Sequence, residues 1–132
     1  MEIEIRTVLE KFRRGDKESA FFELLEMPGD ALPKLIEVFR SERKPAFRAF
    51  LVKVAWERRD RSAIPFLGEA LMDSKEQVWQ EALDGLVTLA SAETLEILHR
   101  ARSREFSKES DRKRFRLWLD EAIEQVQDVI RR

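Results

Sequence analysis

The sequence contains few side chains of the kinds that enzymes use for catalysis. Its single histidine is His99, and its 132 residues include no cysteine. A thiolate nucleophile, a Cys–His pair and a zinc site with sulfur ligands are therefore excluded. The sequence also has no glycine-rich phosphate loop and no Gly-x-Ser-x-Gly turn. We therefore predict that the protein is not an enzyme and that it needs no cofactor and no metal ion.

Acidic side chains are numerous, but they recur beside basic ones at helical spacing. Glu37 precedes Arg40 by three residues, and Glu57 precedes Arg61 by four. Residues three or four apart are neighbours on the surface of a helix, so this pattern is typical of solvated ion pairs rather than of an acid–base couple.

Arginine and aromatic side chains could instead form a binding surface. They alternate in the basic stretches Arg40–Arg61 and Arg100–Arg116, a composition that also suits phosphates and stacked bases. However, the net charge is −1 and the pI about 6.0. An acidic stretch, residues 62–97, also separates the two basic ones. A nucleic-acid partner is therefore the less favoured alternative, and another protein is the favoured one.

The elements that must position these side chains are helices. Apolar residues recur at helical spacing along the chain, and only 4 Gly and 4 Pro interrupt it. Short loops between helices make neighbouring helices antiparallel. The pattern predicts one all-α domain, residues 1–132, with helices at about 2–14, 17–27, 31–40, 45–58, 63–72, 75–90, 92–102 and 109–130.

Two prolines mark a repeat. Pro33 and Pro65 stand 32 residues apart, each near the head of an apolar stripe and preceded by a candidate N-cap, Asp30 or Ser62. Proline is tolerated in the first turn of a helix, where its missing N–H has no acceptor. Apolar positions return at the same interval, which in paired helices indicates a solenoid. Three of them, Phe47, Leu51 and Ala55, return 31 residues later as Val78, Ala82 and Leu86.

The stretch that contains Pro65, Asp73, Val78, Ala82 and Leu86 resembles a HEAT repeat of the short bacterial type, similar to the PBS-lyase HEAT-like repeats of armadillo-type solenoids. The resemblance covers residues 31–102. It implies a right-handed α–α superhelix of about four helix pairs, near residues 1–28, 30–59, 62–90 and 92–131. The chain departs from the family pattern where Trp79 replaces a basic residue and Ser41 replaces the aspartate of the earlier copy.

Helical-repeat proteins commonly bind partners on a concave surface. We therefore expect a protein–protein interaction module, namely an adaptor, scaffold or regulatory subunit. Two alternatives remain open. One is an immunity or inhibitor protein for a partner toxin, and the other is a nucleic-acid-binding module that uses the two basic stretches.

The candidate binding residues come from aligning the second helices of three pairs on Phe47, Val78 and Phe115. This register places Trp79 between Arg48 and Arg116, where cation–π contacts would form. It also places Lys53 opposite Asp84 as an ion pair. The predicted partner-binding residues are Arg48, Phe50, Lys53, Trp79, Glu81, Asp84, Arg112, Arg116 and Trp118.

Further expectations concern the core, the termini and the environment. We expect the last helix to be the longest and the polar loop 103–110 to be the most mobile internal segment, with Phe106 as an anchor on the last pair. The chain begins with acidic residues and has no run of about 18 apolar residues. We expect a cytoplasmic monomer or weak homodimer with no membrane partner. The predicted core comprises Leu35, Ile36, Val38, Phe47, Leu51, Val54, Ala55, Phe66, Leu67, Leu71, Val78, Ala82, Leu86, Leu89, Leu95, Leu98, Phe115, Leu119, Ile123 and Val126.

Overall fold

The computed structural model describes residues 2–132, with side chains from Ile5 onward. The described residues form eight α-helices and two short 3-10 turns and no strand, which confirms the all-α prediction. The helices are α1 (Glu2–Arg13), α2 (Lys17–Glu26), α3 (Ala31–Ser41), α4 (Pro45–Glu57), α5 (Ile64–Leu71), α6 (Glu76–Thr88), α7 (Ala92–Arg100) and α8 (Glu109–Arg131). The 3-10 turns are Arg61–Ala63 and Ala101–Ser103.

The prolines stand at helix starts, as predicted. Pro33 and Pro65 lie in the first turns of α3 and α5. The predicted caps are only partly correct. Asp30 occupies the N-cap position of α3 but its side chain makes no capping hydrogen bond. Ser62 lies inside the 3-10 turn before α5, where its N–H donates to the carboxylate of Asp60 at 2.9 Å, so Asp60 caps this turn. The N-cap position of α5 itself is Ala63.

Most helices pack against their neighbours in the chain, α2 and α3 excepted, and several also pack against the helix after next. The even-numbered helices form a continuous row in which α2 contacts α4, α4 contacts α6 and α6 contacts α8. The most extensive contact in the molecule joins α4 to α6. Among the odd-numbered helices, α1 contacts α3 and α5 contacts α7. The central helices α4 and α6 therefore lie in the middle of a row of four.

The core follows the predicted helical register. Phe47, Val78 and Phe115, taken as equivalent positions, are all buried. Phe12 packs edge-on against Phe47, with ring centroids 4.6 Å apart, so α1 contributes to the same core. Of the predicted core residues, only Ile36, Val38 and Leu95 are partly buried and pack at its margin.

Helix α8 is the longest described helix, at 23 residues, as expected. Leu119, Ile123 and Val126 are buried along one side of it. Leu117 and Trp118 remain exposed, so α8 carries apolar side chains that the chain itself does not cover. In the part of the chain that is described, no helix combines the length and apolarity needed to cross a membrane.

The loop before α8 is held by Arg104. Its guanidinium donates to the carbonyl oxygens of Leu71 at 2.9 Å and Asp73 at 2.8 Å. The same guanidinium lies 4.5 Å from the ring centroid of Phe106 and 4.9 Å from that of Phe115. Phe106 packs against Phe115, with ring centroids 5.2 Å apart, which confirms that Phe106 folds back onto the last pair.

Candidate interaction surface

One side of α4, α6 and α8 presents three stripes of exposed or half-buried side chains. Within each stripe the residues are three, four or seven positions apart, so they share a helical face. We call this surface the even-helix face. Its members are Phe50, Lys53 and Glu57 on α4, Glu81, Asp84 and Thr88 on α6, and Trp118, Glu121 and Gln125 on α8.

A hydrogen bond joins α4 to the stripe of α6. The indole Nε1–H of Trp56 donates to Oε1 of Glu81 at 2.9 Å. The two helices approach closely here, because a Cβ added to Gly85 would lie 2.7 Å from Cβ and Cγ of Trp56. Trp56 is absent from the predicted site residues. The sequence signal that could have identified this contact is Gly85 inside a helix, a position that often marks a close backbone approach.

Two carboxylates on α6 lie in a partly buried environment. Burial raises the pKa of Glu81 above its ordinary value, and the charges of Asp84 and Glu57 add to the rise. The hydrogen bond from Trp56 and the charge of Lys53 oppose it. Burial also raises the pKa of Asp84, again with Lys53 in opposition. Negative charge on this face is therefore only partly neutralised within the molecule.

A shallow depression of about 120 Å³ separates the stripes of α6 and α8. Three of the residues that border it are Asp84, Trp118 and Glu121, and Val87 and Ala122 supply apolar surface. Trp118 is 42% exposed, whereas a large aromatic side chain is normally well covered. The predicted residues Asp84 and Trp118 thus border one cavity.

The predicted stack around Trp79 is wrong. Trp79 is only 4% exposed and packs edge-on against Phe115, with ring centroids 5.1 Å apart. Arg48 instead pairs with Asp73 and lies 4.4 Å from the ring centroid of Phe39. Trp79 stands at the boundary between core and surface, and an indole gains more by turning inward than by remaining in water.

The other predicted arginines are also engaged within the chain. Nε of Arg112 donates to Glu109 at 2.9 Å. Nε of Arg116 lies 3.9 Å from a carboxylate oxygen of Asp120. The predicted row of arginines and aromatic rings is therefore replaced by a face on which carboxylates and aromatic rings predominate.

The predicted ion pair between Lys53 and Asp84 does not form as direct contact. No contact within 4.0 Å joins the two among the described residues, although the charge of Lys53 still lowers the pKa of Asp84. The ammonium of Lys53 lies 5.4 Å from the ring centroid of Phe21 on α2. The cation of α4 is thus drawn toward α2 and away from the depression.

A larger cleft of about 550 Å³ lies on the opposite layer, between α5 and α7. It is bordered by Gly68, Met72 and Ile97 among others, and Met72 is exposed at its edge. None of the predicted site residues lines it. Within the described residues, no group of three or more His, Cys, Asp or Glu side chains is arranged to hold a metal ion.

Neither a family model, nor a curated protein, nor a solved structure matches the chain.

Proposed function

We propose that the protein is a non-enzymatic protein–protein interaction module that binds a partner protein through the even-helix face. We further propose that its helix pairs stack as a right-handed, HEAT-like superhelix with this face on the concave side. The order of helix contacts supports this stacking, since from α3 onward each helix packs against the next and, in the even-numbered row, against the helix after next.

The relative packing of the two layers supports the choice of the concave side. The even-numbered helices pack along their whole row, whereas the odd-numbered helices pack less extensively against one another. In a curved stack of two layers, the layer with closer neighbours is the inner one. The inner layer is also the surface that solenoid proteins use for binding.

The observation that carries the proposal is the chemistry of the even-helix face. Trp118 is exposed beside a depression, and half-buried Glu81 on the neighbouring helix has a raised pKa. An exposed aromatic ring gains no burial energy in the isolated domain, and a poorly solvated carboxylate lowers its stability. A partner that covers the ring and pairs the carboxylate can make both favourable. Such a surface suits a binding role.

A protein partner is favoured over nucleic acid by the engagement of the arginines. In the stretch Arg40–Arg61, Arg40 pairs with Glu69 at 2.7 Å, and Arg58 donates to the backbone carbonyl of Leu24 at 2.6 Å. In the stretch Arg100–Arg116, Arg114 pairs with Glu76 at 3.0 Å. Guanidiniums that are already paired contribute less to a phosphate-binding surface.

Affinity capture with matched variants tests the proposal. The tagged protein, its W118A variant and its M72A variant would each be used to capture proteins from the lysate of the native organism, followed by mass spectrometry. We expect the same partner with the wild type and with M72A, which removes an exposed side chain of the opposite layer, and its loss with W118A. A toxin as that partner would assign the immunity role.

Two results would contradict the proposal. One is an eluate in which nucleic acid replaces protein. The other is a captured protein that W118A retains and M72A loses, since this would move the binding surface to the opposite layer. Melting curves of both variants control for unfolding.

A further inference from the structure

We propose that the α6–α8 depression of the even-helix face receives an arginine or lysine side chain from a basic segment of the partner protein. This inference rests on the proposed function and specifies the partner's chemistry. It starts from the shape of the depression and from the exposed ring of Trp118 that borders it.

The size of the depression suits one side chain. Its volume is about 120 Å³, well below the roughly 300–1,000 Å³ typical of sites for small-molecule ligands. The depression is open to the even-helix face rather than enclosed. A peptide that places one side chain in it can therefore extend along the neighbouring stripes. A side chain that projects from a peptide segment meets both conditions.

The lining of the depression favours a cationic side chain. Asp84 and Glu121 border it from opposite helices, so their carboxylates can receive a cation from two sides. The ring of Trp118 offers a surface for a cation–π contact. Leu83 and Val87 provide apolar contact for the methylene groups of arginine or lysine.

The surrounding charges reinforce this preference. Glu57 and Glu81 extend the negative charge toward α4. Among the described side chains, neither nearby cation pairs directly with Asp84 or Glu121. The ammonium of Lys53 lies 5.4 Å from the ring centroid of Phe21, although its charge still acts on Asp84. Arg114, one turn before Trp118, pairs with Glu76 at 3.0 Å. Burial raises the pKa of Asp84 and of Glu81, and the charge of Lys53 offsets only part of this rise. A basic segment would supply the missing positive charge.

The inference is tested by selecting ligands from an unbiased library. Random 12-residue peptides displayed on phage would be selected on the full chain, and the enriched peptides would be synthesised and titrated by fluorescence anisotropy. We expect enrichment of peptides that contain arginine or lysine among apolar residues. Replacing the critical basic residue of such a peptide by glutamine should weaken its binding about tenfold or more, or at least about 1.4 kcal/mol.

Protein variants then locate the contact. The D84N/E121Q double variant and the W118A variant should each weaken binding about tenfold or more. The E124Q/D128N double variant is the matched control, since it removes the same charge from exposed positions of α8 outside the depression. It should change the affinity less than about twofold, because charges outside the contact contribute little.

The contrary results separate this inference from the proposed function. Selected peptides without basic residues, or peptides that depend on Trp118 but bind D84N/E121Q normally, would overturn the basic-segment inference and leave the interaction face intact. Peptides that bind W118A and D84N/E121Q as tightly as the wild type, together with a captured partner that W118A retains, would overturn both. Enrichment no greater than in the starting library would also overturn the inference.

Discussion

The two central helices, α6 and α4, approach closely at Gly85, because a residue without a side chain leaves room for Trp56. A Cβ at position 85 would lie 2.7 Å from Cβ and Cγ of Trp56, atoms close to the backbone that cannot swing away. Alanine favours a helix over glycine by about 1 kcal/mol. Overpacking typically costs about 1–3 kcal/mol and would here also strain the bond from Trp56 to Glu81.

We therefore predict that G85A is destabilised by up to about 2 kcal/mol, as the overpacking cost exceeds the gain in helix propensity. Urea denaturation of wild type and variant measures this difference. Gly29, which has open space around it, provides the control, and G29A should be close to neutral. A G85A variant more stable than the wild type would show that α4 and α6 are not in the close contact described.

Glu81 makes stability depend on pH. Its pKa is raised in the folded protein from the ordinary value of 4.5. Between these two values the folded state holds a proton that the unfolded state has released, so the contribution to stability falls as the pH rises through this window. Glutamine cannot ionise but can still accept the hydrogen bond from Trp56.

We predict that E81Q melts a few degrees above the wild type at pH 7, where wild-type Glu81 carries a poorly solvated charge. The difference should shrink below about pH 4, where the wild-type carboxyl is protonated in both states. Scanning calorimetry across this range checks the prediction. A lower melting temperature of E81Q at pH 7 would indicate that the charged carboxylate stabilises the fold.

Residue patterns in the sequence predicted which positions face the core better than which side chains pair on the surface. Phe47, Val78 and Phe115 are buried because helical periodicity fixes the direction in which each residue points. The partners of Arg48 and Trp79 depend on side-chain conformation and on the space between helices. Neither is encoded in spacing. The predicted cation–π stack is therefore wrong, and so is the alignment of the last repeat that placed Arg116 in one row with Arg48 and Trp79.

At the level of elements, prolines and periodicity located the helices within a few residues. Pro45 begins α4, and Pro65 lies in the first turn of α5. The sequence did not show how the segment before α8 is held. A polar loop is commonly mobile, but Arg104 reaches back to two carbonyl oxygens near the end of α5, a contact between residues more than 30 positions apart.

We therefore predict that Arg104, rather than loop length, controls the mobility of residues 103–110. R104A should lose about 1.5–3 kcal/mol of stability, since hydrogen bonds from a charged donor are worth that much. Its amide exchange should accelerate in this loop. R102A is the control, because Arg102 makes a single exposed ion pair, 3.7 Å from Asp120. Its loss should change the stability and the amide exchange little. Unaltered exchange in R104A would contradict this role.

At the level of the whole molecule, the two layers of helices differ in character. The even-numbered layer forms one continuous row, and its exposed side carries Trp118, Asp84 and Glu81 together. The sequence predicted these three residues as part of a binding surface, yet it assigned to the same surface arginines that are paired elsewhere. The distribution of charge along the sequence does not show which arginines are already paired, because the fold determines which charges lie close together.

The central claim is that a partner protein binds the even-helix face. Hydrogen–deuterium exchange of the free protein and of its complex with the captured partner tests this claim most directly. We predict slower exchange in the complex within α4, α6 and the middle of α8, around residues 118–125, with α3, α5 and α7 unchanged. Slower exchange confined to α5 and α7, which border the 550 Å³ cleft of the opposite layer, would contradict it.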